Sequence, residues 1–205
     1  MNRDGVRCSP QEQAVLDLID TDELVDLTCA LVNAAGENPG GTEEDTAHVL
    51  ERAASERGLT ARSDVVSPGR PNVDVDLPVG GPVADGPGLL FLGHSDVVPA
   101  GPGWMRAPYD AVVDGDRLYG RGATDMKGGL AAVLCAMDAL RRSGVCLSGP
   151  VRLSSTVDEE DLGLGIRQLA ARGLGRAFLG CVVAEPTDLQ TVIACRGDAY
   201  LEVEI

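Results

Sequence analysis

Leu89-Leu90-Phe91-Leu92-Gly93-His94-Ser95-Asp96, an apolar run that empties into an imidazole and a carboxylate, is the stretch that decides how this chain folds. Four apolar residues in succession are the pattern of a strand buried on both faces, as in a parallel sheet. A histidine leaving such a strand at its carboxyl end is well placed to bind a metal, with the aspartate two residues on holding the ring tautomer. The motif recurs. Val151 to Val157 runs into Asp158-Glu159-Glu160, and Phe178 to Val183 runs into Glu185. In a parallel sheet the three strand ends share one edge, so acids some 90 positions apart should meet in the crevice there.

Working outward, Gln13 to Ala35 carries apolar residues at helical spacing, with Thr21-Asp22 as a cap or kink. Thr42-Glu43-Glu44-Asp45 resembles a capping box opening a helix that runs to about Arg57, where Gly58 stops it. Thr60 to Val66 and Asn72 to Leu77 read as strands, and Asp114-Gly115 as a hairpin turn. Lys127 to Ser143 and Gly163 to Arg172 read as helices, Ala177 to Val183 as a third buried strand, and Thr191 to Cys195 and Tyr200 to Ile205 as two more strands. Strand and helix alternate, which predicts an α/β fold: a mostly parallel, doubly wound sheet with helices on both faces. The expected organisation is a flexible extension over residues 1–12, a metal-binding catalytic domain over 13–198, and the start of a further strand over 199–205.

With 205 residues, 44% of them hydrophobic, the chain is long enough to bury a sizeable core, and at 3% aromatic content that core must be aliphatic. A net charge of -15 argues against nucleic acid or an anionic membrane as partner and suits a cation site. The six cysteines lack CxxC spacing, no apolar run approaches the roughly 20 residues that span a bilayer, and the amino terminus lacks the apolar run of a signal peptide; the expected location is a reducing cytoplasm.

The segment Gly120-Arg121-Gly122-Ala123-Thr124-Asp125-Met126-Lys127-Gly128-Gly129 delivers one more acid, Asp125, beside a helix start. One imidazole and at least three carboxylates in a small volume would repel one another unless a divalent ion sat among them. Nitrogen and oxygen donors without thiolate fit one or two Zn²⁺, two of them about 3.5–4 Å apart. Of the Glu159-Glu160 pair, one would ligate and the other stay free as general base. Each feature has a common structural use: a solvated strand-end histidine, an acidic first helical turn at Asp158 to Asp161, a loop acid at Glu185. Their coincidence at three strand ends is what favours a site. No GxSxG or GxxxxGK[ST] order is present, so neither a serine hydrolase elbow nor a phosphate loop competes.

Taken together, Gly93-His94-Ser95-Asp96-Val97-Val98-Pro99, the Gly120 to Gly129 segment, Asp158-Glu159-Glu160 and Ala184-Glu185-Pro186-Thr187 resemble the co-catalytic zinc metallopeptidase and deacylase family that includes acetylornithine deacetylase, succinyl-diaminopimelate desuccinylase, aminoacylase and carboxypeptidase G. The resemblance implies His94 and Glu185 as ligands of one zinc, Asp125 as the bridge, Glu160 on the other zinc, Glu159 as general base and Asp96 as the residue that orients His94. It also implies a cis peptide after Asp125. The implied reaction is hydrolysis of the amide of an N-acyl amino acid or small peptide, with Zn²⁺ as cofactor and Co²⁺ able to substitute. The family's second zinc takes a further histidine from beyond an inserted dimerisation domain, and the only other histidine here, His48, matches no motif. The resemblance therefore implies a complementing carboxyl-terminal half or a homodimer for full activity, the alternatives being a split enzyme or a non-catalytic zinc-binding remnant or interaction module. Arg196-Gly197 is a candidate contact for a substrate carboxylate.

Overall fold

The computed structural model describes residues 8–78, 86–173 and 178–194. Two helices lead the chain, α1 (Pro10–Leu16) and α2 (Thr21–Asn33). The Thr21-Asp22 signal is a cap: Asp20 stands before α2 and its carboxylate accepts the N–H groups of Asp22, at 2.8 Å, and Glu23. α1 begins at Pro10, ahead of the expected Gln13, because Ser9 and Glu12 form a reciprocal capping box.

The capping box expected at Thr42 is not made. Helix α3 (Glu44–Glu56) starts behind Glu43, whose carboxylate is turned inward and pairs with Arg70 Nη1 at 3.1 Å instead of capping. The sheet follows: β1 (Thr60–Ser67), β2 (Arg70–Asp76), β3 (Gly88–His94), then a separate hairpin of β4 (Val112–Asp114) and β5 (Arg117–Tyr119) turning at Gly115 with φ 63°. Helix α4 (Gly128–Ser143), β6 (Val151–Thr156), α5 (Leu164–Arg172) and β7 (Phe178–Val183) complete it.

In the five-stranded sheet the order is β1-β2-β6-β3-β7. β3 lies parallel to both β6 and β7, and the β1–β2 hairpin joins β6 antiparallel. Register explains the layers. Val75, Leu153 and Phe91 stand side by side on one face, which α3 and α4 cover with Leu50, Leu130, Leu134 and Met137, all fully buried. The opposite face carries Asp74 and Ser154, hydrogen-bonded at 2.6 Å, and α5 reaches that pair through Arg172 at 3.1 Å. Helices thus lie on both faces, the aliphatic layer on one side and a polar layer on the other. Each fully buried leucine of the first layer contributes about 1.5–3 kcal/mol.

Burial of β3 and of the edge strand β7 is lower than their apolar sequences predict. In β3 Leu89 is exposed and Phe91 and Leu92 half-buried, and β7 is exposed along most of its length, because no strand among the described residues lies beyond β7. Residues 191–194 form no strand; the rest of that expected strand, the one over Tyr200 to Ile205, and Arg196-Gly197 lie outside the described residues. No helix of the described residues is long and apolar enough to cross a membrane, and Cys8, Cys29, Cys135, Cys146 and Cys181 are unpaired.

Candidate metal centre

The parallel pairing of β3 with β6 places His94 opposite Thr156, so the two strands empty side by side. β3 can approach the helical layer closely there because Gly93 has no side chain: a Cβ would lie 2.6 Å from Met126 Cε and 2.8 Å from Leu130 Cδ2. The His94 amide then donates to the Met126 sulfur at 3.1 Å, which ties the strand end to the turn Ala123–Lys127 that carries Asp125. The peptide between Asp125 and Met126 is cis. Lys127, wholly buried, anchors the same turn by donating from Nζ to the carbonyls of Leu31, at 2.7 Å, and Ala35, where α2 ends. Burial lowers the Lys127 pKa to about 7.

Around His94 the four acids converge. Its Nε2 lies 3.1 Å from Asp125 Oδ1, 3.6 Å from Glu185 Oε1 and 3.9 Å from Glu159 Oε2. Two sets of donors each fall within 4.8 Å of one another: His94 with Asp125 and Glu185, and His94 with Glu159 and Glu160. Nδ1 is 2.9 Å from the Asp96 main-chain carbonyl, which can only accept, so the ring donates there and directs Nε2 at the acids. The Asp96 carboxylate, 3.5 Å from Nδ1, also holds the next strand end, since Oδ1 accepts the Glu159 N–H at 3.1 Å and Oδ2 the Glu160 N–H at 3.0 Å. Asp158 to Asp161 is not the first turn of a helix, since α5 begins only at Leu164.

Electrostatics mark the cluster as unfinished. Burial alone would lower the His94 pKa, but the Asp96 carboxylate, then Glu185 and Glu159, raise it to about 10. Burial, with the charges of Asp125 and Glu159, pushes Glu185 up to about 7, and Glu160 is raised mainly by burial. One imidazolium cannot neutralise four carboxylates, and a divalent cation would. One imidazole with oxygen donors and no thiolate suits such an ion.

Sequence reasoning did not find what stands behind this rim. Asn38, Glu43 and Arg70 form a buried network with Asp96 and Asp158, drawn from positions with no periodic or motif signal linking them. His48 is exposed on α3 and takes no part.

A family model described as peptidase family M20/M25/M40 matches residues 90–202, which includes every acid of the rim. The chain belongs to this family. Among curated relatives of the M20 chain, succinyl-diaminopimelate desuccinylase of Methylobacterium sp. (strain 4-46) is 42% identical over 139 residues, covering 64% of this chain and 34% of that protein. A probable succinyl-diaminopimelate desuccinylase of Staphylococcus aureus (strain MRSA252) is 31% identical over 183 residues, covering 88% of this chain and 43% of its own. The M20 chain thus spans well under half the length of these relatives. Among solved structures, the M20 family metallo-carboxypeptidase Sso-CP2 of Sulfolobus solfataricus superposes with a TM-score of 0.58 at 31% identity, covering 69% of this chain and 32% of that one. The di-peptidase Dug1p of Saccharomyces cerevisiae, at 20% identity and a TM-score of 0.70 over 83% of this chain and 40% of its own, shares the fold.

Proposed function

We propose that the M20 chain carries the metal centre of an amidohydrolase acting on N-acyl amino acids or small peptides, with a succinylated diamino acid as the first substrate to test. The observation that carries this reading is the convergence of Asp125, Glu159 and Glu185 within 4 Å of His94 Nε2, at the carboxyl edge of three parallel strands. The names of the desuccinylase relatives support the choice of acyl group. Among the described residues the five cysteines are unpaired, which agrees with a reducing cytoplasm.

His94, Asp125 and Glu185 would hold one Zn²⁺, and Glu160, with Asp125 as bridge, would face a second. When bound, Zn²⁺ supplies Lewis-acid polarisation of the scissile carbonyl and lowers the pKa of water. The remaining chemistry belongs to side chains. Glu159 is half exposed, at 51%, and so open to water and substrate; it takes the proton of the attacking water and returns it to the departing amine. Asp96 holds the backbone of Glu159 and Glu160 in place for this through its two N–H acceptor bonds. Both donor sets contain His94, and among the described residues it is the only imidazole at the site, so one ion is held far more tightly than a second.

Hydrolysis of a panel of acetyl, succinyl and peptide substrates with added Zn²⁺ or Co²⁺, with and without a carboxyl-terminal half from a full-length relative, tests the reading. Metal-dependent release of amine, abolished by chelation, is expected. No hydrolysis in either arm would contradict it.

A further inference from the structure

We propose that Asn38, with Arg70, is a positioning residue that aims Glu159 and Glu160 at the metal centre, an inference that rests on the metal-dependent reading above. Asn38 lies on the turn between α2 and α3, is 1% exposed, and is fixed to the loop beyond β3 by its N–H donating to the Val97 carbonyl at 2.8 Å. Its side-chain Nδ2 donates to two carboxylates at once, Asp96 Oδ2 at 2.9 Å and Asp158 Oδ1 at 2.9 Å. Arg70 Nη2 donates to Asn38 Oδ1 at 3.1 Å, and because a guanidinium only donates, this settles which end of the amide faces the acids.

Asp158 is held in a conformation that, apart from glycine, few residues other than Asn and Asp adopt. Its φ is 63°, in the left-handed region, with no glycine to ease it. Three donors secure its carboxylate there: Asn38 and Arg70 on Oδ1, the latter at 3.1 Å, and the Leu164 N–H on Oδ2 at 3.2 Å. With the backbone turned in this way, the next two N–H groups point at Asp96, and the side chains of Glu159 and Glu160 project towards His94. Asn38 is therefore the link between the carboxylate that receives the turn and the carboxylate that begins it. Truncating its amide leaves both acids short of a donor and frees the turn, while every ligand candidate stays in the chain.

Co²⁺ titration of metal-free wild type and Asn38→Ala, followed by visible d–d absorption and by calorimetry, with thermal unfolding of each, separates aiming from mere support. The expected result is a folded variant whose Co²⁺ affinity falls about 10–100-fold and whose visible spectrum is altered. A folded variant with wild-type affinity and spectrum would overturn the proposal. Should Asn38→Ala not fold, Arg70→Lys, which keeps the buried positive charge but loses the two-pronged contact, is judged by the same affinity and spectrum. If neither folds, the cluster is a folding element and the positioning role is overturned. Wild type that takes up no Co²⁺ overturns the metal reading itself, visible before any variant is compared, and the positioning role falls with it.

Discussion

Two clusters of acids lie at the same end of the sheet, and they differ in where their cation comes from. Behind the rim, Glu43, Asp96 and Asp158 are buried but served by donors from the chain itself: Arg70, Asn38 and main-chain N–H groups. At the rim, Asp125, Glu159, Glu160 and Glu185 are partly open to solvent and share a single imidazole. Burial raises Glu43 to about 7 even with Arg70 beside it, whereas Asp96, despite its burial, is lowered by the His94 ring beside it and then by donors from Asn38, Glu160 and Glu159. Donor supply, rather than depth, decides whether a buried acid stays charged. Each acid of the inner cluster meets donors of the chain, with Glu43 Oε2 left without a partner among the described residues, and the cluster works as a frame; the outer one lacks positive charge, as a site for an external cation must.

The sharpest way to part the two is to remove one acid from the outer cluster. Glu159→Ala should lower kcat by about 10²–10⁴-fold while leaving metal uptake intact, read by steady-state hydrolysis beside metal analysis. Equal loss of metal would make Glu159 a ligand rather than a base. Removing the cation of the inner cluster should act on folding: Arg70→Met leaves buried Glu43 without its ion pair and takes one of three donors from Asp158, and chemical denaturation should register a loss of about 3–5 kcal/mol.

A smaller effect concerns pH. In the metal-free chain His94 keeps a proton up to about pH 10 and Glu185 up to about pH 7. Both protons must leave for a cation to enter. Affinity should therefore rise about tenfold per pH unit between 7 and 10 and more steeply below 7, with proton release seen as buffer-dependent heat. Both pKa values lie above those of the unfolded chain, so the stability they contribute is full at low pH. It should be lost as pH rises through 7 for Glu185 and through 10 for His94. Affinity independent of pH would contradict the shared imidazole. Smallest of all, His48→Ala on exposed α3 should change stability by no more than about 0.5 kcal/mol and metal affinity not at all.

How much of this is legible in the sequence follows the range of each signal. The strands announce themselves through apolar runs, and the rim acids through their position just after those runs, because strand direction alone carries His94, Glu159 and Glu185 to one edge. Glu43 reads locally as part of a helix cap, since its partner Arg70 lies 27 residues away and nothing nearby predicts that an inward ion pair outcompetes a cap. Asn38 meets Asp158 across 120 residues, beyond the reach of any spacing argument. The apolar sequence of β7 reports that the strand favours burial, not what covers it, and among the described residues it is an edge.

The central claim is that these acids and one imidazole are held together for a cation. Equilibrium dialysis of the metal-free chain against Zn²⁺, with His94→Ala in parallel, tests it most directly. About one tightly held zinc per wild-type chain and none in the variant is the expected result. No zinc in the wild type, or equal zinc in both, would contradict it.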